Sequence, residues 1–178
     1  MEKEAEVKKH VLFPLGIYAL VFLLLGCRSE TPERLYSEAQ QAASDSTTFA
    51  QAERLFQRIL DKFPDSNLCD DALFGLAQIA MNRGNSAGAV ERYHELVTRY
   101  PQSDLAHKAQ FMIGFIYSEI LRDYDKAREA YQRVIDNYPE SELVSSAKWM
   151  IENMGRNLEE LGIFQEGRSE ERRERGEN

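Results

Sequence analysis

One pattern, Pro-x-Ser-x-Leu-x-x-x-Ala, occurs three times in this chain and constrains its fold more than any other feature. The copies begin at Pro64, Pro101 and Pro139, which are spaced 37 and 38 residues apart. An aromatic residue precedes each proline, a second aromatic lies seven residues earlier, and an alanine lies four residues before that. A repeat period in this range is typical of stacked structural units rather than of one globular core.

Each unit is predicted to be a pair of helices. In residues 89–100 and again in residues 127–138, apolar residues recur every three or four positions, which gives a helix one apolar stripe. Proline ends that helix because it excludes helical geometry at the residue before it, and we expect the serine to cap the next helix. In the third unit, that next helix is predicted to run from about Leu105 to Ile120.

Small residues recur at one position of the first helix in each unit, at Ala39, Ala77 and Gly114. A glycine inside a helix costs about 1 kcal/mol relative to alanine, so Gly114 indicates a close backbone crossing. Pro32 opens the first unit, whose sequence is degenerate.

These features resemble the tetratricopeptide repeat family. Twelve or thirteen positions after the small residue comes an alanine (Ala89, Ala127), four later an aromatic, and eight after that a proline. The resemblance covers residues 32–155 and implies an all-α, right-handed α-solenoid of about three helix pairs plus a final helix. The extended Tyr-Pro-x-Ser form resembles repeats of two bacterial envelope proteins. One is the D-subunit lipoprotein of the outer-membrane β-barrel assembly machinery, and the other is the periplasmic coordinator of the Tol-Pal system.

The N-terminus predicts a lipid anchor. Two lysines precede a short apolar run in residues 11–25, as in a secretory signal peptide. Leu-Leu-Gly-Cys then resembles a bacterial lipobox, which implies cleavage before Cys27 and a diacylglyceryl group and an N-acyl chain on it. Arg28 follows where an aspartate would favour inner-membrane retention, so the resemblance implies the periplasmic face of the outer membrane. An uncleaved anchor helix, or a plain signal peptide with an incidental cysteine, is the alternative.

The predicted domain boundaries follow from these features. They are a lipoprotein signal peptide over 1–26, a lipidated tether over 27–31, a repeat domain over 32–164 and a charged, disordered tail over 165–178. The final helix is predicted to begin near Leu143 and to extend as far as Leu161. We expect the apolar residues at its end to cover the last exposed apolar face; they are Leu158, Leu161, Ile163 and Phe164.

Composition argues against several functions. The net charge of −8 disfavours nucleic-acid binding. With Cys27 lipidated, Cys69 is the one remaining cysteine, so no intramolecular disulfide forms. His94 and His107 lack the spacing of a metal site, and no phosphate-binding loop or catalytic constellation occurs. The sequence therefore predicts no enzyme activity, no metal and no cofactor beyond the acyl chains.

What remains is a protein-binding surface. Aromatic residues recur on the predicted first helices at spacings of 38, 37 and 38; this aromatic ladder consists of Tyr36, Phe74, Phe111 and Trp149. By the resemblance, it points into a concave groove that holds a segment of a partner protein. Helical spacing places further side chains on the same face, namely Gln78, Lys108, Phe115 and Arg156. Packing between units is the alternative, and it is favoured because aromatic residues at helical spacing are more often buried.

Two functions are compared on this basis. The first is a lipid-anchored scaffold in outer-membrane β-barrel assembly, with subunits of that machinery as candidate partners. The second is a Tol-Pal or cell-division coordinator. The coordinator family carries a coiled coil before its repeats, and this sequence has none.

Overall fold

A computed structural model describes residues 29–156, and throughout this range the chain is helical without a β-strand. Six of its seven α-helices form three pairs; the pairs are α1 (Pro32–Ala43) with α2 (Phe49–Lys62), α3 (Cys69–Asn82) with α4 (Ser86–Arg99), and α5 (Ala106–Phe115) with α6 (Tyr124–Asn137). The seventh helix, α7 (Val144–Asn153), follows alone. Each helix packs against the next in the chain, and α1 also contacts α3. The predicted helical-repeat solenoid of three pairs plus a final helix is confirmed.

Several predicted features lie outside the described residues. They are the signal peptide over 1–26, the lipidation site Cys27, the apolar end over 158–164 and the charged tail over 165–178. Three residues of the predicted tether, Ser29, Glu30 and Thr31, are described, and two of them contact the folded unit through their side chains. Both Arg58 and Lys62 form ion pairs with Glu30, at 2.7 Å, while the Thr31 hydroxyl accepts a hydrogen bond from the backbone of the first turn of α1.

The Pro-x-Ser turns differ in detail from the predicted serine cap. The hydroxyl oxygens of Ser66, Ser103 and Ser141 accept hydrogen bonds, at 3.0 to 3.2 Å, from the backbone N–H of the leucine two residues later. That leucine is itself the N-cap residue, and its side chain forms no capping bond. The serine therefore closes a local turn before the helix, because its short hydroxyl reaches the amide two residues on.

The buried core follows the repeat. The second-helix aromatics Phe56, Tyr93 and Tyr131 are almost fully buried, as are the alanines four residues before them. The Tyr131 ring packs so closely on Gly114 that a Cβ atom there would lie 2.7 Å from it. The expected close approach at Gly114 is thus present, but the helix meets a tyrosine ring and not another backbone.

Two helix ends differ from the prediction. The helix expected to reach Ile120 continues beyond α5 as a single π-helical turn, Ile116–Ile120, closed by a 2.9 Å hydrogen bond from the Leu121 N–H to the Ile116 carbonyl. The final helix ends at Asn153 and does not reach Leu161. Glycine explains that ending, because Gly155 adopts a left-handed backbone with φ of 82°.

Candidate protein-binding groove

A cavity of about 720 Å³ opens between the first helices of the three units. Its walls come from α1, α3 and α5, and its floor includes the buried aromatics Phe56 and Tyr93. The wall combines apolar and polar side chains, among them Tyr36, Gln40, Asp71, Phe74, Gln78, Leu105 and Met112. A concave surface of this size that offers both apolar and polar groups suits a segment of another protein.

The aromatic ladder is part core and part groove. Tyr36 and Phe74 line the cavity while packing on second-helix aromatics, with ring centroids 5.8 and 5.3 Å apart. Phe111 packs edge-on against Tyr131 at 5.1 Å and does not line the cavity. Trp149 is 48% exposed on α7. The groove interpretation therefore applies to Tyr36 and Phe74, and the packing interpretation applies to Phe111.

The eight predicted binding residues do not form one site. Gln78 lines the cavity together with Tyr36 and Phe74. The other five residues do not line it, and four of them are exposed; the five are Lys108, Phe111, Phe115, Trp149 and Arg156. The physical reason is that the cavity lies mainly between the first two units. From the third unit Leu105 and Met112 line it, and α7 does not reach it.

Sequence reasoning missed Asp71, whose carboxylate lies in the cavity wall. The Tyr36 hydroxyl donates a hydrogen bond to Asp71 Oδ1 across the boundary between two units, at 3.3 Å. Gln40 donates from Nε2 to the same Tyr36 hydroxyl oxygen at 3.0 Å. A signal was present, because Asp71 precedes Phe74 by three residues, just as Lys108 precedes Phe111.

The carboxylate of Asp71 is electrostatically unfavourable where it stands. Burial raises its pKa, the negative charge of Asp70 adds to that effect, and the hydrogen bond from Tyr36 opposes it. Burial raises the pKa of the Tyr36 hydroxyl, and the Asp71 carboxylate adds to that effect. Within residues 29–156, no lysine or arginine forms an ion pair with Asp71. A cation brought into the cavity would therefore be stabilised.

The histidine and cysteine side chains of residues 29–156 do not line the cavity. Across residues 29–156, no group of three or more histidine, cysteine and acidic side chains is arranged to hold a metal ion. His94 is exposed beside Thr98, whereas His107 lies 3.4 Å from a carboxylate oxygen of Glu142. Cys69 is fully buried, and its Sγ lies 3.2 Å from the Phe63 carbonyl oxygen. None of the helices in this part of the chain has the length and apolar character needed to cross a bilayer.

Stacked helix pairs with a concave face define a helical-repeat protein of the protein-binding kind. Residues 43–111 and residues 108–141 each match the tetratricopeptide repeat family. Together these matches cover residues 43–141, and over this range the chain is a tetratricopeptide-repeat protein. Repeats of this family mediate protein–protein interactions and are generally not enzymes. A comparison with curated proteins gives no match.

Proposed function

We propose that this protein is a lipid-anchored scaffold of the bacterial cell envelope whose cavity binds a segment of a partner protein. Asp71 is the observation that carries the proposal. It is a partly buried carboxylate that faces a cavity, receives a hydrogen bond from a tyrosine and lacks a cation among the described residues. Groups held in such an unfavourable state are enriched at functional sites.

The lining defines the chemistry of the bound segment. The bound segment carries a lysine or arginine that pairs with Asp71. Apolar side chains on either side of that residue contact Phe74, Leu105 and Met112. A hydrogen bond to a charged group contributes about 1.5–3 kcal/mol, and the remaining hydration of the Asp71 carboxyl group keeps this one at the lower end. The amides of Gln40 and Gln78 offer hydrogen bonds to the backbone of the segment.

The anchor is the second part of the proposal. The lipobox-like sequence ending in Cys27 supports acylation, and two or three acyl chains hold a protein firmly on a bilayer. The Tyr-Pro-x-Ser form of the repeats supports a role in outer-membrane β-barrel assembly, on the periplasmic face. A Tol-Pal or division coordinator is the alternative that the same resemblance suggests.

A displayed library of random peptides tests the binding chemistry. Peptides selected on the protein are expected to be enriched in one basic residue among apolar ones, and Asp71→Asn is expected to remove that enrichment. Asp61→Asn is the matched control, because it removes the same charge from an exposed position on α2. Selection of acidic peptides, or equal selection by both variants, would contradict the proposal.

Mass spectrometry tests the anchor, and crosslinking tests the partner. The mature protein is expected to begin at an acylated Cys27, and Cys27→Ser is expected to leave an uncleaved precursor. In bacterial envelopes, crosslinking is expected to capture β-barrel assembly subunits, and Asp71→Asn is expected to weaken that capture. Capture of Tol-Pal components instead would favour the alternative function. A non-acylated mature chain would refute the anchor without affecting the groove.

A further inference from the structure

The chain that leads into α1 is held against the folded domain. The Ser29 carbonyl oxygen accepts a hydrogen bond from the Arg34 guanidinium at 3.3 Å. The Glu30 carboxylate forms ion pairs with Arg58 and Lys62, one helical turn apart on α2, both at 2.7 Å. These contacts join the segment to both helices of the first unit. The segment therefore enters the first repeat along one fixed path.

Glu30 makes the most restrictive of these contacts. The hydrogen bond from Lys62 lowers the pKa of Glu30, and the positive charge of Arg58 adds to that effect, so the carboxylate is ionised at neutral pH. A single exposed ion pair contributes little to stability, but a carboxylate shared by two cations is restrained in two directions. Replacing Glu30 by a cation would turn both attractions into repulsions.

The length of the chain determines which part of the domain lies nearest to an anchor at Cys27. Cys27 precedes Ser29 by two positions, and two extended residues span at most about 7 Å. That reach is much shorter than α1, whose 12 residues extend over about 18 Å. The start of α1 is therefore the part of the domain closest to a bilayer that holds Cys27.

The start of α1 adjoins the turn that follows α2. Together they line an open depression of about 520 Å³, and its lining consists of Pro32, Glu33 and residues 62–67. We name this surface the proximal edge. Both an ammonium group, on Lys62, and carboxylates, on Glu33 and Asp65, are exposed there. Charges of both signs suit phospholipid headgroups, in which a phosphate is often joined to an ammonium group.

We propose that the proximal edge faces the lipid headgroups and that Glu30 holds the domain in this orientation. The proposal rests on the lipid anchor of the proposed function and adds that the anchored domain does not swing freely. The cavity extends along α3, since its lining includes Asp71 in the first turn and Asn82 at the end of that helix. A fixed orientation therefore presents the cavity to a partner at a constant height above the bilayer.

The last Pro-x-Ser turn disfavours an orientation in which all the turns lie on the bilayer. Glu140 and Glu142 are exposed in that turn, and Asp136 is exposed at the end of the helix before it. Negative charges are repelled by anionic lipids, whose surface potential acts within about 10 Å of the membrane. Contact with the headgroups is therefore confined to the first unit.

A chemically anchored protein tests this orientation. The chain from Cys27 onward contains all the described residues, and its Cys27 thiol is coupled to a maleimide lipid while the Cys69 thiol stays buried. The vesicles contain phosphatidylcholine, phosphatidylglycerol and a lipid with a nitroxide on its headgroup, which quenches fluorescence at short range. A fluorescent amino acid at position 65 is expected to be quenched strongly, and one at position 46, beyond the far end of α1, much less.

Two altered forms test the role of the docked segment. Glu30→Lys is expected to reduce the difference in quenching between the two positions, and a flexible glycine-serine linker inserted after Arg28 is expected to abolish it. Glu91→Lys is the matched control, because it makes the same charge change at an exposed position on α4 and is expected to behave as the parent. Helix content by circular dichroism is expected to be equal in all four proteins.

Equal quenching at positions 65 and 46 in the parent would overturn the proposal. A difference that persists in both Glu30→Lys and the lengthened form would mean that the affinity of the surface for lipid sets the orientation, and it would also overturn the role of Glu30. The coupled lipid supplies the anchor directly. A failure of natural acylation would therefore refute the proposed anchor and leave the result of this experiment unchanged.

Discussion

The Tyr131 ring occupies the space beside Gly114, and a Cβ atom at position 114 would lie 2.7 Å from two atoms of that ring. Tyr131 is fully buried and holds its hydroxyl 3.3 Å from the Ser118 hydroxyl, so the ring cannot swing away freely. Burial also raises the pKa of Tyr131 to about 12. The small residue in the first helix and the aromatic in the second are therefore one packing unit.

Gly114→Ala is expected to destabilise the protein although alanine favours helices. The intrinsic gain is about 1 kcal/mol, but overpacking against Tyr131 costs more, for a net loss of about 1–2 kcal/mol. Chemical denaturation measures this loss. In a Tyr131→Leu background the same substitution is expected to be neutral or stabilising, and additive effects in this double-mutant cycle would contradict the packing argument.

Phe111→Ala is expected to lower stability without changing what the cavity binds. Phe111 is half-buried on Tyr131 and does not line the cavity, so a loss of about 2–3 kcal/mol is expected, less than for a fully buried phenylalanine. Phe74→Ala is the comparison, because it removes both a core contact and a cavity wall. Melting and titration with a selected peptide separate the two effects. Lost binding with unchanged melting in Phe111→Ala would contradict the structure.

Asp71→Asn is expected to stabilise the folded protein at neutral pH. The pKa of Asp71 is raised in the folded state, so the protonated form favours folding and this contribution is lost as pH rises through the folded pKa. The gain is expected to be under about 1 kcal/mol, because the carboxyl group keeps part of its hydration. Denaturation between pH 3 and pH 7 measures it.

The pH dependence distinguishes this effect from a general loss of charge. The difference in the free energy of unfolding between Asp71→Asn and the parent is expected to shrink as pH falls below about 4. There the Asp71 carboxyl group becomes protonated in both the folded and the unfolded state. Asp61→Asn is expected to lack that dependence, since the Asp61 side chain is exposed on α2. If the stability difference between Asp71→Asn and the parent grew as pH fell, the ionised form of Asp71 would favour folding, which would contradict a raised pKa.

Arg122→Gly is expected to stabilise the turn between α5 and α6. Arg122 has φ of 56°, and Gly84 occupies the equivalent turn of the second unit with φ of 73°. A left-handed residue with a side chain costs about 1–2 kcal/mol, part of which is offset by the greater freedom of glycine in the unfolded chain. A net gain of about 0.5–1 kcal/mol is expected from these terms. Arg122→Ala removes the same guanidinium contact to Tyr124 and is expected to bring no gain.

The helix pairs could be predicted because the residues that repeat along the sequence are those that the packing of the helices requires. Alanines and aromatics such as Ala89 and Tyr93 lie in the core, so their spacing reports the fold directly. The π-helical turn after α5 could not be predicted from the spacing of nearby residues; within it, the Ser118 hydroxyl lies 3.3 Å from that of Tyr131, thirteen residues further along the chain. Gly155 follows the last helix with a left-handed backbone, and a glycine at such a position is a readable stop signal in a sequence.

The cavity was harder to predict than the helices. Asp71 and Lys108 stand at equivalent positions of adjacent units, yet Asp71 lines the cavity and Lys108 does not. Each unit is rotated relative to the one before it, so equivalent residues face different surroundings. A sequence shows which residues share one face of a helix. Which faces of three helices meet at a cavity depends on how all the units stack.

Amide chemical-shift mapping with a selected basic and apolar peptide tests the central claim most directly. Perturbations are expected to cluster on α1, α3 and residues 105–112 around the cavity, and to weaken strongly in Asp71→Asn but not in Asp61→Asn. Perturbations confined to the second helices α2, α4 and α6, with equal affinity for both variants, would contradict the claim that this cavity is the protein-binding groove.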